Sequence, residues 1–168
     1  MKKLLSVILV LCLMLSIAGC AREPEIPEDS YTVYYQLKNP TYGTMDSVVA
    51  PTYLLASGRG DDISYLLRKY LASTPGEGFV SPFPHTVTLI SFKLEGPTAK
   101  VILSNQIAQL SGIELTVALI CLTRTVMDLT DCREVIISAN TALLAGQNYI
   151  TLNRDSFLLL DDSGNTQQ

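Results

Sequence analysis

The chain has no tryptophan and a single histidine, His85. One imidazole cannot assemble a zinc site, and no CxxC pair is present to stand in for the missing ligands. Five serines come into question as nucleophiles: Ser57, Ser64, Ser81, Ser104 and Ser111. None sits in a G-x-S-x-G elbow, and no glycine-rich phosphate loop of the Walker type occurs. An acid pair such as Glu95 with Asp128 offers glycan hydrolysis in principle. Separation along the chain does not show that two carboxylates meet, and unpaired surface acids ordinarily solvate a fold. No catalytic residue, metal ligand or cofactor follows from these absences, and the chain is read as non-enzymatic. There is also no basic cluster. Beyond residue 19 the chain has ten basic against sixteen acidic residues, a net charge of −6. Nucleic acid is thereby excluded as a non-specific partner, and an anionic lipid surface gains no electrostatic help.

The N-terminus, MKKLLSVILVLCLMLSIAGC, supplies what charge does not. Lys2 and Lys3 precede an apolar run from Leu4 to Leu15, and the small residues Ala18 and Gly19 precede Cys20. A membrane span needs about 20 apolar residues, so the run is the length of a secretion signal. The IAGC ending resembles a bacterial lipobox. That resemblance implies removal of residues 1–19, lipidation of Cys20 with diacylglycerol and palmitate, and a domain held on the extracytoplasmic face of the cell membrane. Residues 20–30 then form the lipidated cysteine and its tether, since AREPEIPEDS holds two prolines, four acids and no buried periodicity. Export would permit a disulfide between Cys121 and Cys132. Burial alone accounts for Cys121 in an apolar helix and leaves Cys132 as a loop thiol, which is the reading taken.

From Tyr31 onward the patterning is that of a packed domain. Tyr31, Val33 and Tyr35 alternate with polar neighbours as in a strand, and Pro51 confines a second strand to an edge. Ile63, Leu66, Leu67, Tyr70 and Leu71 form one helical stripe, with Asp61 as the expected N-cap and Pro75-Gly76 as the stop. The RGD at 59–61 is absorbed by that cap. In FKLEGPTAKVILSN, Ile90, Phe92 and Leu94 share one strand face. Across a Glu95-Gly96-Pro97-Thr98 turn, Ala99, Val101 and Leu103 share another, which predicts a hairpin with one face on a core. Ser111 and Glu114 have the spacing of a capping box before a second helix, apolar enough to be covered on more than one side. CREVIISAN and NYITLNR read as closing strands, and residues 154–168 as a tail. The expected class is α+β, a two-layer sandwich with both helices on one face of a mixed or antiparallel sheet.

This order, with the segments ISYLLRKYLAS, PGEGFVSPFP, VTLISFKLEG, AKVILS, ELTVALICLTRTVMDL and CREVIIS, resembles the GerMN domain of sporulation and germination lipoproteins. The resembling domain occupies residues 31–153. The resemblance implies a fold similar to the ring-building motifs of secretion complexes, and a role in assembly or protein interaction during sporulation or spore germination. Partners implied are envelope or sporulation proteins, with a homo-oligomer left open. In the hairpin's second arm Ile102 stands where relatives carry an acid. Ile102, Lys100 and Glu95 are therefore the candidate interaction residues. The competing function is binding of cell-wall glycan or a small ligand, for which Tyr34, Tyr35 and Tyr53 are the candidate platform.

Overall fold

The computed structural model describes residues 27–40 and 48–156. The expected signal segment, Cys20, most of the expected tether and residues 157–168 lie outside them. Among the described residues seven strands and two α-helices follow one another: β1 Ser30–Leu37, β2 Val49–Leu55, α1 Ile63–Ala72, β3 Phe79–Val80, β4 Leu89–Glu95, β5 Thr98–Leu103, α2 Gly112–Thr130, β6 Glu134–Ala139 and β7 Ile150–Asn153. A 3-10 turn at Asn105–Gln109 links β5 to α2.

The α+β expectation holds, but the strands divide into two sheets. The first is antiparallel in the order β2-β1-β3, and the second runs β4-β5-β6-β7. In the second sheet β5 and β6 are parallel, with α2 as the crossover that parallel strands require, while β4 and β7 flank them antiparallel. The division has a physical cause. β3 pairs only with Gln36 and Leu37 of β1. At Tyr34 the same edge is closed by side chains: its N–H donates to Thr125 Oγ1 at 3.0 Å, and its carbonyl accepts from Tyr70 Oη at 2.6 Å. No rung remains there for another strand. Both backbone groups of Tyr34 thus point away from β2. Pro51, its partner across the pair, occupies a non-hydrogen-bonded position where a missing N–H costs no ladder bond.

The core lies between these layers. Tyr31, Val33 and Tyr35 of β1 are buried, as are Leu66, Leu67, Tyr70 and Leu71 of α1. α2 packs mainly on β1 and also touches β6 and α1. It is buried almost all round from Leu115 to Met127, as its sequence predicts. Cys121 and Cys132 are both buried and free, and burial pushes the Cys121 thiol well above its ordinary range.

Three local expectations change. Asp62, not Asp61, caps α1, its Oδ1 accepting from the Tyr65 N–H at 2.9 Å. A backbone bond from Asp62 N to Arg59 O sets the helix boundary one residue later. Ser111 does occupy the N-cap of α2, but its side chain makes no capping bond. Gly112, the first helical residue, has φ 53, so the opening turn is not regular enough to aim an amide at Ser111. Of the expected core face of β4 only Phe92 is half-buried: Ile90 is 47 % exposed because a bulge between Leu89 and Ser91 rotates it outward, and Leu94, next to the hairpin turn, is 47 % exposed as well.

Candidate functional site

The three candidate interaction residues meet on the outer face of the second sheet. On β5, Ala99, Val101 and Leu103 are fully buried, so Thr98, Lys100 and Ile102 face the other way. Gly96, with φ 60, makes the tight turn that joins β4 to β5. Lys100 Nζ bonds Glu95 Oε2 at 2.6 Å, and both side chains are about half exposed, 46 % and 51 %. That hydrogen bond first, and then the charges of Lys100 and Lys93, hold the Glu95 carboxyl below its usual range. Ile102 lies one rung pair further along, between Ser91 of β4 and Ser138 of β6, and is half-buried. The face is therefore polar at its borders with an aliphatic side chain inside it. An exposed ion pair of this kind contributes little to stability, so it sets surface chemistry more than fold.

The tyrosine platform does not assemble. Tyr35 is fully buried, and its hydroxyl donates to the Tyr70 carbonyl at 3.3 Å. Tyr31 is likewise buried and donates to the Leu66 carbonyl at 2.9 Å. Burial pushes the Tyr35 phenol up to about 12. Tyr34 is half-buried beneath Arg124, whose guanidinium carbon sits 4.6 Å from the ring centroid, and its hydroxyl donates to Asp128 Oδ2 at 2.9 Å. Burial, followed by that bond to Asp128, raises its pKa. Only Tyr53, 41 % exposed, still offers a ring to solvent. The acid pair fares no better: Glu95 is held by Lys100 at a hairpin turn, while Asp128 is held by Tyr34 on α2. Among the described residues no group of histidine, cysteine and carboxylates is placed to hold a metal ion. No helix among them is long and apolar enough to cross a membrane.

Sequence reasoning missed the polar seam between β1 and the two helices. Thr125 Oγ1 donates to the Cys121 carbonyl at 2.8 Å while accepting from Tyr34, and Tyr70 bridges back to the same residue. The available signal was hydroxyls inside apolar helical stripes, since most buried hydroxyls find a partner; it did not single out Thr125, because the equally buried Thr123 Oγ1 finds none.

No family model and no curated protein matches the chain. Among solved structures, the first GerMN domain of the sporulation protein GerM from Bacillus subtilis superposes with a TM-score of 0.54 and 17 % identity. That match covers 75 % of this chain and 98 % of the other. The tandem GerMN domains of the same protein give a TM-score of 0.52 at 21 % identity and cover 80 % of this chain. This chain spans 50 % of that tandem structure. A Clostridium perfringens protein described as a lipoprotein covers 83 % of this chain and is itself covered in full, at 16 % identity. Its TM-score of 0.49 is too low to carry weight. The chain has a GerMN-like fold.

Proposed function

We propose that this chain is a non-enzymatic envelope lipoprotein, anchored through Cys20, whose GerMN-like domain acts in assembly by protein interaction during sporulation or spore germination. The observation that carries the reading is the fold shared with the first GerMN domain of GerM. Three features support it: the lysine, apolar and small-residue order before Cys20, the proline-rich tether, and the engagement of Glu95 and Asp128 with separate partners. Within it, the outer face around Ile102, Lys100 and Glu95 is the assembly contact. The test is crosslinking in sporulating cells with the parent, Cys20→Ala and Ile102→Asp. The parent is expected in the membrane fraction, crosslinked to an envelope partner. Cys20→Ala leaves that fraction, and Ile102→Asp stays folded and anchored but crosslinks less. Absence of an envelope partner at every stage overturns the assembly role. An unfolded Ile102→Asp withdraws Ile102 as a contact.

A further inference from the structure

The outer face of the second sheet is open. Paired residues share a face, so the register lays Lys93, Lys100, Ile136 and Thr151 in one row across the four strands. Ile102 lies on one side of that row, opposite Ser138, and Glu134 and Asn153 lie on the other. The alternate positions of β5 and β6 are buried, whereas Lys93, Lys100 and Thr151 are exposed and Ile102 and Ile136 are half-buried. The two isoleucines are thus diagonal neighbours at the centre of the face, incompletely covered. Lys93 and Lys100 stand directly opposite each other, a like-charge pair that weakens a ladder unless carboxylates offset it. Glu95 bonds Lys100, and no described residue forms an ion pair with Lys93.

The chain leaves the sheet toward this same face. Asn153, the last residue of β7, pairs with Glu134, so its side chain is on the outer side. Its Oδ1 accepts from the Ser156 N–H at 2.9 Å, and Ser156 Oγ accepts from the Asn153 N–H at 3.1 Å. This reciprocal capping box draws Ser156 to the outer side. Residues 157–168, FLLLDDSGNTQQ, follow: four consecutive apolar residues, two acids and no base. The inner face offers that run no space, since Val101, Val135 and Ile137 are fully buried there. Asp161 and Asp162 come five and six residues after Ser156, about 17 and 20 Å of extended chain. β5 and β4 are two and three strands away from β7, about 10 and 14 Å at the usual spacing.

We infer that this segment folds back over the outer face, with residues 157–160 on Ile136 and Ile102, and with Asp161 and Asp162 beside Lys100 and Lys93. Burial of the apolar run completes the cover of the two isoleucines. The acids give Lys93 the carboxylate that it lacks and relieve its repulsion from Lys100. Attachment through Asn153 keeps the segment at high local concentration, so a modest contact suffices to seat it. The docking needs neither a lipid anchor nor an envelope partner. Only its consequence rests on the function proposed above: a partner using this face reaches it by displacing the segment.

The test is limited chymotrypsin digestion of the purified full-length chain, with cleavage after Phe157 followed by mass spectrometry. No envelope partner is present, so failure here is distinct from failure of the assembly role. Variants are Ile136→Thr, Lys93→Glu with Lys100→Glu, Asp161→Lys with Asp162→Lys, and the two charge reversals combined. The parent is expected to be cut slowly at this site. Ile136→Thr and either charge reversal alone should be cut about fivefold faster, and the combination should return to the parent rate. Equal cleavage of the parent and the variants overturns the inference, as does a combination cut no more slowly than either reversal alone. Protection that grows with protein concentration overturns it in favour of a segment seated on a second copy.

Discussion

The two sheets are packed by different chemistry. The first meets its helices through tyrosine hydroxyls that end on backbone: Tyr31 on Leu66 and Tyr35 on Tyr70 of α1, and Tyr70 back on Tyr34 of β1. The second turns only aliphatic side chains inward from β5 and β6: Ala99, Val101, Leu103, Val135, Ile137 and Ala139. Apolar packing tolerates sliding and repacking, whereas a buried hydroxyl is satisfied in one register. The first sheet is thus fixed in position by direction-dependent bonds and the second by shape and ladder.

That contrast can be broken most completely with alkali. Burial raises the phenol of Tyr35 from 10.0 to about 12, and Tyr31 and Tyr70 shift the same way. Below pH 10 these tyrosines are neutral, folded or unfolded, and cost nothing. As the pH passes 10 the unfolded chain ionises and the folded one does not, so stability falls through the interval up to about 12. Phenolate absorbance of the buried tyrosines should rise together with unfolding, in one step. A gradual rise in which every tyrosine titrates while the fold persists would contradict the tyrosine-anchored packing.

Next in size is Tyr35→Ala, which removes a fully buried ring and should cost about 4 kcal/mol in denaturant titration. Smaller and more diagnostic are Tyr70→Phe and Thr125→Val. Each leaves one backbone group of the half-buried Tyr34 without its bond, at about 2 kcal/mol. Ile137→Val in the second sheet, which removes only a methylene, should cost about 1 kcal/mol. Equal losses for these three substitutions would erase the distinction between the sheets. The smallest effect is expected of Asp62→Ala, which frees the Tyr65 N–H at an exposed helix start. It should lower the melting temperature less than Thr125→Val and leave amide exchange in β5 and β6 unchanged.

Much of this was legible in the sequence. Period-two burial fixed the buried side of β1, and the stripe from Leu66 to Leu71 fixed the buried side of α1, because periodicity reports burial directly. The hairpin carrying Glu95, Lys100 and Ile102 was legible for the same reason. Its bulge was not, since one inserted residue leaves no compositional mark. Neither was the split into two sheets, which depends on Thr125 and Tyr70 reaching a strand far off in sequence. The choice between the adjacent Leu143 and Leu144 also escaped, because the tight turn at Ala145-Gly146 decides which one is buried.

The seam at Tyr34 also bears on how such domains can join. Linear polymers and swapped dimers commonly start where a bare strand recruits its counterpart from a neighbouring molecule. Along this rung of β1 an incoming strand would have to displace two interior hydroxyls, each already committed to a bond. Copies of the domain are therefore barred from growing fibre-like through this strand. Among the described residues, strand-to-strand growth is left to the outer strands β2, β4 and β7 and the two-residue β3, so the geometry of any such array is set at those edges and not at β1.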